Sequence, residues 1–171
     1  MTVKPPYNLK NIKNKFCIFL AGSIEMGIAE NWQQVIENEF VNQENICLIN
    51  PRRDDWDSSW KQEISNPQFK EQVNWELDGL EKADLILFYF APETKSPISM
   101  LELGLFASSK KLIVCCPNGF WRKGNIDIVC ERYGINQVNT LDELINYTKL
   151  KTKPRKGDIT KHRVKPYVIP N

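Results

Sequence analysis

Histidine and paired cysteines are scarce in this sequence. Among 171 residues only His162 is a histidine, which excludes His-rich metal sites and argues against Ser-His-Asp and Cys-His mechanisms. The cysteines are odd in number and form no Cys-x-x-Cys pair, so we expect neither a disulfide framework nor a zinc site. Core thiols in a reducing compartment explain them. The five cysteines are Cys17, Cys47, Cys115, Cys116 and Cys130.

Long apolar runs, a leader segment and a strong net charge are also missing. No apolar stretch approaches the roughly 18 residues that a membrane helix needs, and the first residues do not read as a signal peptide. The net charge of +2 is too small to indicate nucleic acid by itself. With 42% hydrophobic and 26% charged residues, the composition is that of a globular protein. We expect a cytoplasmic protein with no membrane partner and no nucleic-acid partner.

Strand and helix patterns alternate along the chain. Short apolar runs bounded by turn residues predict buried strands, whereas a 3- to 4-residue spacing of apolar side chains predicts helices, as at 29–41 and 67–82. The alternation predicts an α/β fold, with a mostly parallel four- or five-stranded sheet flanked by helices in a flavodoxin-like or Rossmann-like arrangement. We assign residues 1–150 to this single domain, with 1–15 as an extended lead-in. The predicted strands cover residues 16–21, 46–49, 84–90, 111–116 and 137–138.

The segment 151–171 has a different composition from the rest of the chain. It contains seven lysines and arginines against the single acid Asp158. A mobile basic C-terminal tail is the interpretation that we favour. The alternative is an arm that packs on a neighbouring subunit or reaches a nucleic acid, with Tyr167 as a ligand contact.

A lone acid, Glu102, follows the central predicted strand 84–90. The loop 91–97 is rich in helix breakers, and 98–109 then places apolar side chains at helical spacing around Glu102. Ligands of open α/β sheets bind near such a position, outside the carboxyl ends of the strands. From local sequence alone, a solvated first-turn Glu that favours the helix dipole is the simpler interpretation. A buried carboxylate would be costly and would therefore indicate function.

Small and hydroxyl-bearing residues lie at the same predicted sheet edge. Gly22, Ser23 and Ile24 end the first long strand, where backbone N–H groups can face an anion or a sugar. This is no G-x-G-x-x-G fingerprint, and a plain strand-to-helix turn accounts for it equally well. The edge also holds the loop that carries Ser96, so the topology predicts that Ser23, Ser96 and Glu102 share one crevice.

A polar stretch with two tryptophans follows the second predicted strand. Trp56 and Trp60 lie within residues 52–60, which also contain several charged side chains. One interpretation is a solvated loop anchored by two aromatic rings. The other is a flexible lid that stacks on a flat ligand, a role for which Trp is suited.

Three further acids are candidates to act beside Glu102. Glu76 shares a helix face with Leu80, and it could therefore approach the sheet edge where Glu102 is placed. For Asp78 a solvated helix surface is the better interpretation. Asp84 begins the central strand, where a structural role is equally plausible.

Three segments of the chain match a known family. They are Phe19-Leu20-Ala21-Gly22-Ser23-Ile24; Trp75-Glu76-Leu77-Asp78-Gly79-Leu80 followed by Ala83-Asp84-Leu85; and Ser96 through Met100-Leu101-Glu102-Leu103-Gly104. With them the chain resembles the nucleoside 2-deoxyribosyltransferase family, including relatives that hydrolyse the N-glycosidic bond of nucleoside 5′-monophosphates. The resemblance extends roughly from Lys15 to Tyr133.

The resemblance implies roles for individual residues. Glu102 matches the family's nucleophilic Glu, which attacks the anomeric carbon of the sugar. Ser96 stands where transferases often have Asp and the monophosphate hydrolases have Ser. Glu76 stands where the family commonly has Asp, and Glu25 where some monophosphate hydrolases have an Arg. Because Glu25 would repel a phosphate, a phosphorylated substrate is disfavoured at this position, although the serine pair favours it.

The implied function is cleavage or transfer at the N-glycosidic bond of a nucleoside or nucleoside 5′-monophosphate, through a Glu nucleophile and a sugar–enzyme intermediate. It needs no metal or cofactor, and the resemblance implies a homo-oligomer. The alternatives are a non-catalytic nucleotide-binding or interaction module of the same fold and an NAD glycohydrolase. The catalytic candidates are Glu102, Glu76, Asp78 and Asp84, and the substrate-binding candidates are Gly22, Ser23, Ile24, Ser96, Trp56 and Met100.

Overall fold

The computed structural model describes residues 1–24, 29–57 and 59–153. Within these ranges the chain forms one sheet of six parallel strands, in the order β1-β3-β2-β4-β5-β6. The predicted α/β class is thereby confirmed. The strands are β1 (Thr2–Val3), β2 (Phe16–Gly22), β3 (Ile46–Ile49), β4 (Leu85–Tyr89), β5 (Leu112–Cys115) and β6 (Asn136–Val138).

The predicted number of strands, four or five, is wrong. The additional strand is β1, in the segment 1–15 for which the sequence predicts an extended lead-in. Thr2 and Val3 pair in parallel with β3, and the amino group of Met1 donates a hydrogen bond of 2.9 Å to the carbonyl oxygen of Ile46. A two-residue strand is too short to show a periodic pattern, and of its two residues only Val3 is buried.

Five α-helices within the described ranges cover the two faces of the sheet. They are α1 (Trp32–Phe40), α2 (Pro67–Lys82), α3 (Pro97–Phe106), α4 (Lys123–Tyr133) and α5 (Leu141–Thr152). The helices α1 and α5 pack on one face, and α2, α3 and α4 on the other. Because strand side chains alternate, Phe19 and Phe88 pack under α2, α3 and α4. Leu20 and Leu87 pack on the opposite face, under α1 and α5. Both faces are therefore buried, which accounts for the uninterrupted apolar runs.

Capping residues fix where the helices begin. The side chain of Asn66 accepts a hydrogen bond from the backbone N–H of Phe69, and Pro67 occupies the first helical position of α2. In α5, Thr140 and Glu143 form a reciprocal capping box. These signals are local, so the sequence places the helix starts well.

The end of α5 lies within the segment predicted to be a basic tail. The composition predicts that this tail begins at residue 151, whereas α5 continues to Thr152. Residues 154–171 lie outside the described residues, so the tail stays a prediction. No helix in the described ranges is both long enough and apolar enough to cross a membrane.

The order of strands reverses between β2 and β4. After β2 the chain adds β3 on one side and then returns to add β4 on the other. Loops diverge at such a switch point and leave a crevice at the carboxyl ends of the strands. Gly22 ends β2 opposite Tyr89 with a φ of +139°, and a Cβ here would lie 2.3 Å from the Tyr89 carbonyl oxygen. The crevice is therefore built on a backbone contact that only glycine allows.

We expect Gly22→Ala to lower the free energy of unfolding by at least about 3 kcal/mol, because the added methyl group overlaps backbone atoms at a strained φ. Gly104→Ala is the matched control, since nothing lies within 4 Å of its Cβ position in α3. That substitution should leave stability unchanged or raise it by up to about 1 kcal/mol. Urea unfolding of both variants measures the difference, and equal effects would contradict the tight contact.

Candidate active site

Glu102 lies on the inner side of α3. It is only 8% exposed and shares this side with buried Ser99 and Leu103. The apolar side chains of Ile98, Leu101 and Leu105 point outward instead, with exposures of 60%, 59% and 58%. This helix therefore buries a carboxyl group on its inner side, next to the core residue Leu103, while three apolar side chains face outward. The solvated Glu that local sequence favours is not what the structure shows.

Burial and a neighbouring carboxylate act together on Glu102. Burial is the larger cause and the negative charge of Glu76 is the second, and they raise the pKa of Glu102 to about 8. No hydrogen bond or ion pair to Glu102 is present within residues 1–24, 29–57 and 59–153. Its carboxyl oxygens are therefore available to interact with a ligand.

Glu76 is the second acid of this pair. It projects from α2, and its Oε1 accepts a hydrogen bond of 2.8 Å from Nε2 of Gln72. Burial raises the pKa of Glu76, while the Gln72 hydrogen bond opposes the rise. Nε2 of Gln72 also donates to the carbonyl oxygen of Pro51 at 3.1 Å, and this fixes the amide beside the end of β3. Two acids with raised pKa values in a crevice are typical of acid–base sites.

Three hydroxyl groups meet at the switch point and form what we call the hydroxyl cluster: Ser23, Thr94 and Ser96. The hydroxyl oxygen of Ser23 lies 2.6 Å from that of Ser96 and 2.8 Å from that of Thr94. The backbone N–H of Ala91 donates to the Ser23 hydroxyl at 2.9 Å. All three residues of the cluster are buried. The predicted proximity of Ser23 and Ser96 is therefore present, on the loops after β2 and β4.

The backbone of Ser96 is strained. It has a φ of +45°, a left-handed conformation that residues other than glycine rarely adopt, directly before Pro97 begins α3. Its carbonyl oxygen accepts the N–H of Met100 at 3.1 Å. Strain of this kind costs about 1–3 kcal/mol and is concentrated at functional sites. It fixes the start of the helix that carries Glu102.

An acidic cleft of about 220 Å³ opens beside the hydroxyl cluster. Glu30 and Glu93 contribute its charged side chains, and Thr94 lines it as well. The hydroxyl group of Tyr89 donates a hydrogen bond of 2.6 Å to Glu30. This side of the crevice is therefore negatively charged.

The tryptophan stretch lies at the same sheet edge, after β3. The rings of Trp56 and Trp60 are tilted at 58° with centroids 5.2 Å apart, and the Arg53 guanidinium lies 5.1 Å from the Trp60 ring centroid. Trp56 is half-buried. Both interpretations of this stretch, an anchored loop and a lid, are compatible with these contacts.

Two of the predicted acids do not join the pair. Asp78 lies on α2 with its side chain exposed to solvent, and it makes no hydrogen bond or ion pair with the residues that the structure describes. Asp84 precedes β4 at the opposite end of the strand, where its Oδ2 accepts the backbone N–H of Cys17 at 2.8 Å and its own N–H bonds to the Cys17 carbonyl oxygen. Asp84 therefore links β2 to β4 and lies away from the crevice.

The remaining candidates lie near the crevice or beyond the described ranges. Ile24 follows the buried Ser23 at the end of β2. Met100, one turn into α3, is half-buried and packs against the core. Glu25 lies outside the described residues.

Three residues near the pair were missed by sequence reasoning. Thr94 joins the hydroxyl cluster, Gln72 holds Glu76, and Arg52 follows the carbonyl group to which Gln72 bonds. Gln72 could have been found, because it precedes Glu76 by four residues and so shares its helix face. Arg52 carries no periodic signal, since loop residues follow none.

The buried acid pair makes stability depend on pH. Glu102 has a folded pKa above its ordinary value of 4.5, so its contribution is complete below that value and is lost as the pH rises through about 8. Glutamine does not titrate, so Glu102→Gln avoids this loss. The unfolding free energy of Glu102→Gln minus that of the unmodified protein should therefore be roughly 2–4 kcal/mol larger at about pH 9 than at about pH 5. Denaturant unfolding at the two pH values measures it.

The control for this prediction is Glu81→Gln, at an exposed acid on α2. It should show no such gain between the two pH values. Parallel pH profiles for Glu102→Gln and the unmodified protein would contradict the burial of this charge.

Comparisons with known proteins bear on the family and the fold of this chain. The sequence model of the family described as nucleoside 2-deoxyribosyltransferase like matches residues 15–120. No curated protein matches the chain significantly. Among solved structures, a conserved protein from Enterococcus faecalis V583 is similar in fold, with a TM-score of 0.57 and 12% identity over 80% of this chain and 99% of that chain. Since the family match spans more than half of the sequence, the chain belongs to the nucleoside 2-deoxyribosyltransferase-like family.

Proposed function

We propose that the protein cleaves or transfers the N-glycosidic bond of a nucleoside, or of a nucleoside 5′-monophosphate, with Glu102 as nucleophile. The observation that carries the proposal is the buried Glu102 with the half-buried Glu76 near enough for its charge to raise the pKa of Glu102. A carboxylate beside the sugar carbon stabilises the oxocarbenium-like transition state or bonds to it. Membership of the family supports glycosyl transfer in general.

The reaction is a double displacement. An ionised oxygen of Glu102 bonds to the anomeric carbon while the bond from that carbon to the base nitrogen breaks, and the electron pair leaves with the base. Glu76 gives its proton to the departing base. Water or a second base then attacks the anomeric carbon and frees Glu102, passing a proton back to Glu76. Two displacements retain the configuration of the sugar.

The sharing of one proton between Glu102 and Glu76 suits the roles of nucleophile and acid that we propose for them. Each charge disfavours the other, so over a range of pH the two carboxyl groups hold one proton between them. In the free protein, the raised pKa of Glu102 keeps the proton largely on that residue. Positive charge that develops on the sugar favours the ionised form of Glu102, and the proton is then available on Glu76 for the leaving base.

The remaining candidates would hold the substrate. We assign the sugar to the hydroxyl cluster, with the backbone at Gly22 and Ile24 beside it. Met100, one turn into α3, would border the sugar, and Trp56 would cover the flat base. These roles place the sugar near the switch point and the base toward the end of β3.

A non-catalytic module is the weaker alternative. An inert binding protein gains nothing from two buried acids that repel each other, because such groups cost stability. Hydrolysis of NAD uses the same Glu chemistry and is tested by including NAD in the substrate panel.

We also expect a homo-oligomer, as the family resemblance implies. The outer side of α3 exposes Ile98, Leu101 and Leu105 with no charge among them. An apolar face of this kind is typical of contacts between subunits.

Base release should depend on both acids. We expect Glu102→Gln to lower kcat/KM by on the order of 10³-fold or more, because it removes the nucleophile. Glu76→Gln should lower it by roughly 10²–10⁴-fold for nucleosides but far less for a 2-deoxyriboside of 4-nitrophenol, whose leaving group needs no proton. Chromatography of free base, with and without an acceptor base, measures these rates and separates transfer from hydrolysis.

The matched control is Glu81→Gln, which makes the same change at an exposed acid of the helix that carries Glu76. Its turnover should equal that of the unmodified protein. Absence of turnover on every nucleoside, monophosphate and NAD, or turnover that survives Glu102→Gln, would contradict the proposed function and favour a binding module.

We expect the protein to prefer nucleosides over nucleoside 5′-monophosphates as substrates. Because Glu30 and Glu93 line the cleft beside the hydroxyl cluster, a 5′-phosphate would meet negative charge there. We expect kcat/KM for a nucleoside to exceed that for its 5′-monophosphate by roughly tenfold or more. Ser96→Asp should widen this ratio by repelling the phosphate further. A higher rate with the monophosphate would show that the serine pair outweighs the acids.

A further inference from the structure

Several buried polar atoms without partners belong to the loop after β3 and to α2. Within the described part of the chain, six buried side-chain atoms make no hydrogen bond: Nη1 of Arg52, Nη1 of Arg53, Nε1 of Trp56, Oε1 of Gln72, and both Nε2 and Oε1 of Gln33 on α1. Each such atom costs free energy until it finds a partner. The first four belong to two segments that the hydrogen bond from Gln72 to Pro51 joins, so a ligand bound between them would supply the missing hydrogen bonds.

This group adjoins the acid pair. Gln72 bonds through its amide nitrogen to both the Pro51 carbonyl oxygen and Glu76, so its unpartnered oxygen lies beside the acid proposed to protonate the base. Arg52 directly follows Pro51, and its backbone N–H donates to the side chain of Asn50 at 2.9 Å. The unpartnered atoms are therefore on the base side of the proposed site.

The two arginines differ in how their charge is neutralised. Arg53 is paired with Asp55, with Nε to Oδ1 at 2.7 Å, and it packs on Trp60. Its Nη1 lies 4.0 Å from Glu71, beyond hydrogen-bond distance. Arg52 has no ion pair or side-chain hydrogen bond with any residue that the structure describes. Neither guanidinium is among the causes that set the pKa of Glu102. The charge of Arg52 is therefore not neutralised by the acid pair.

The unpartnered atoms have a definite hydrogen-bonding character. Arg52 and Trp56 offer donors, whereas the free oxygen of Gln72 is an acceptor. The matching ligand edge is a carbonyl oxygen next to a ring N–H, the lactam edge of hypoxanthine, guanine, uracil and thymine. Adenine and cytosine present an amino group next to an unprotonated ring nitrogen, so they would leave the Arg52 donor facing another donor. Arginine paired with a base carbonyl is also a common contact between proteins and oxopurines.

We infer that Arg52, Trp56 and Gln72 form a base pocket selective for nucleobases with a lactam edge. The inference rests on the proposed function for its place in the reaction. A cation at the carbonyl oxygen also favours departure of the base, because the electron pair of the broken glycosidic bond spreads onto that oxygen. The base then takes its proton from Glu76.

Binding of free bases tests the pocket without requiring turnover. Equilibrium dialysis of the full chain should show hypoxanthine bound at least roughly tenfold more tightly than adenine, and uracil than cytosine, since each pair differs only at the edge in question. Arg52→Gln should reduce both ratios to near one. Arg132→Gln, the same change at an exposed arginine in the last turn of α4, should leave them unchanged. Because no bond is broken, a failure of the proposed catalysis would not affect this result.

Selectivity ratios separate recognition from damage to the fold. A variant that merely folds poorly weakens both members of a base pair equally and preserves the ratio. Trp56→Phe keeps an aromatic ring but removes the N–H, so it should lower the ratio with little loss of stability. Equal binding of hypoxanthine and adenine, or a ratio unchanged in Arg52→Gln, would overturn the inference. A last test adds Arg52→Gln to the inactive Glu102→Gln variant and measures the binding of inosine and of inosine 5′-monophosphate. If Arg52→Gln weakens binding of the monophosphate only, Arg52 binds the phosphate and the inference is overturned.

Discussion

A buried carboxyl group, Glu102, with the half-buried Glu76 near enough to raise its pKa, is the constraint around which this protein is organised. Burial raises the pKa values of both Glu102 and Glu76, and the charge of Glu76 raises that of Glu102 further. Such an arrangement costs free energy. The strands, packed on both faces, offset that cost and position α2 and α3.

The topology determines why the pair forms at this place. The strands β2 and β4 touch at Gly22 and Tyr89, and their loops then separate to either side. Ser23 bridges the gap by bonding to the loop after β4, and the strained Ser96 directly precedes α3, the helix that buries Glu102. The helix after β3 brings Glu76 from the other side. The candidate site is thus built from segments that follow three neighbouring strands.

Strands that are buried on both faces could be predicted from the sequence, because a short uninterrupted apolar run bounded by turn residues is typical of them. The strand β1 could not, since its two residues show no period, and the orientation of α3 could not either. Periodicity finds which residues share a helix side, but α3 has apolar residues on both sides. Leu103 packs inward beside Glu102, whereas Ile98, Leu101 and Leu105 face outward. Only the family resemblance placed Glu102 in the site. Gln72 and Arg52 depend on tertiary contacts, which no local pattern encodes.

The charges around the crevice divide it into two parts with different chemistry. Glu30 and Glu93 make negative the side that we assign to the sugar. Arg52 leaves a cation, which no described residue neutralises, on the side that we assign to the base. Because the glycosidic bond breaks with positive charge on the sugar and electrons on the base, this division matches the charge that develops in the transition state. A cation placed next to Glu102 would instead lower its pKa and compete with the sugar for the carboxylate. In the reaction that we propose, keeping Arg52 apart from Glu102 would therefore let one crevice stabilise both halves of the breaking bond.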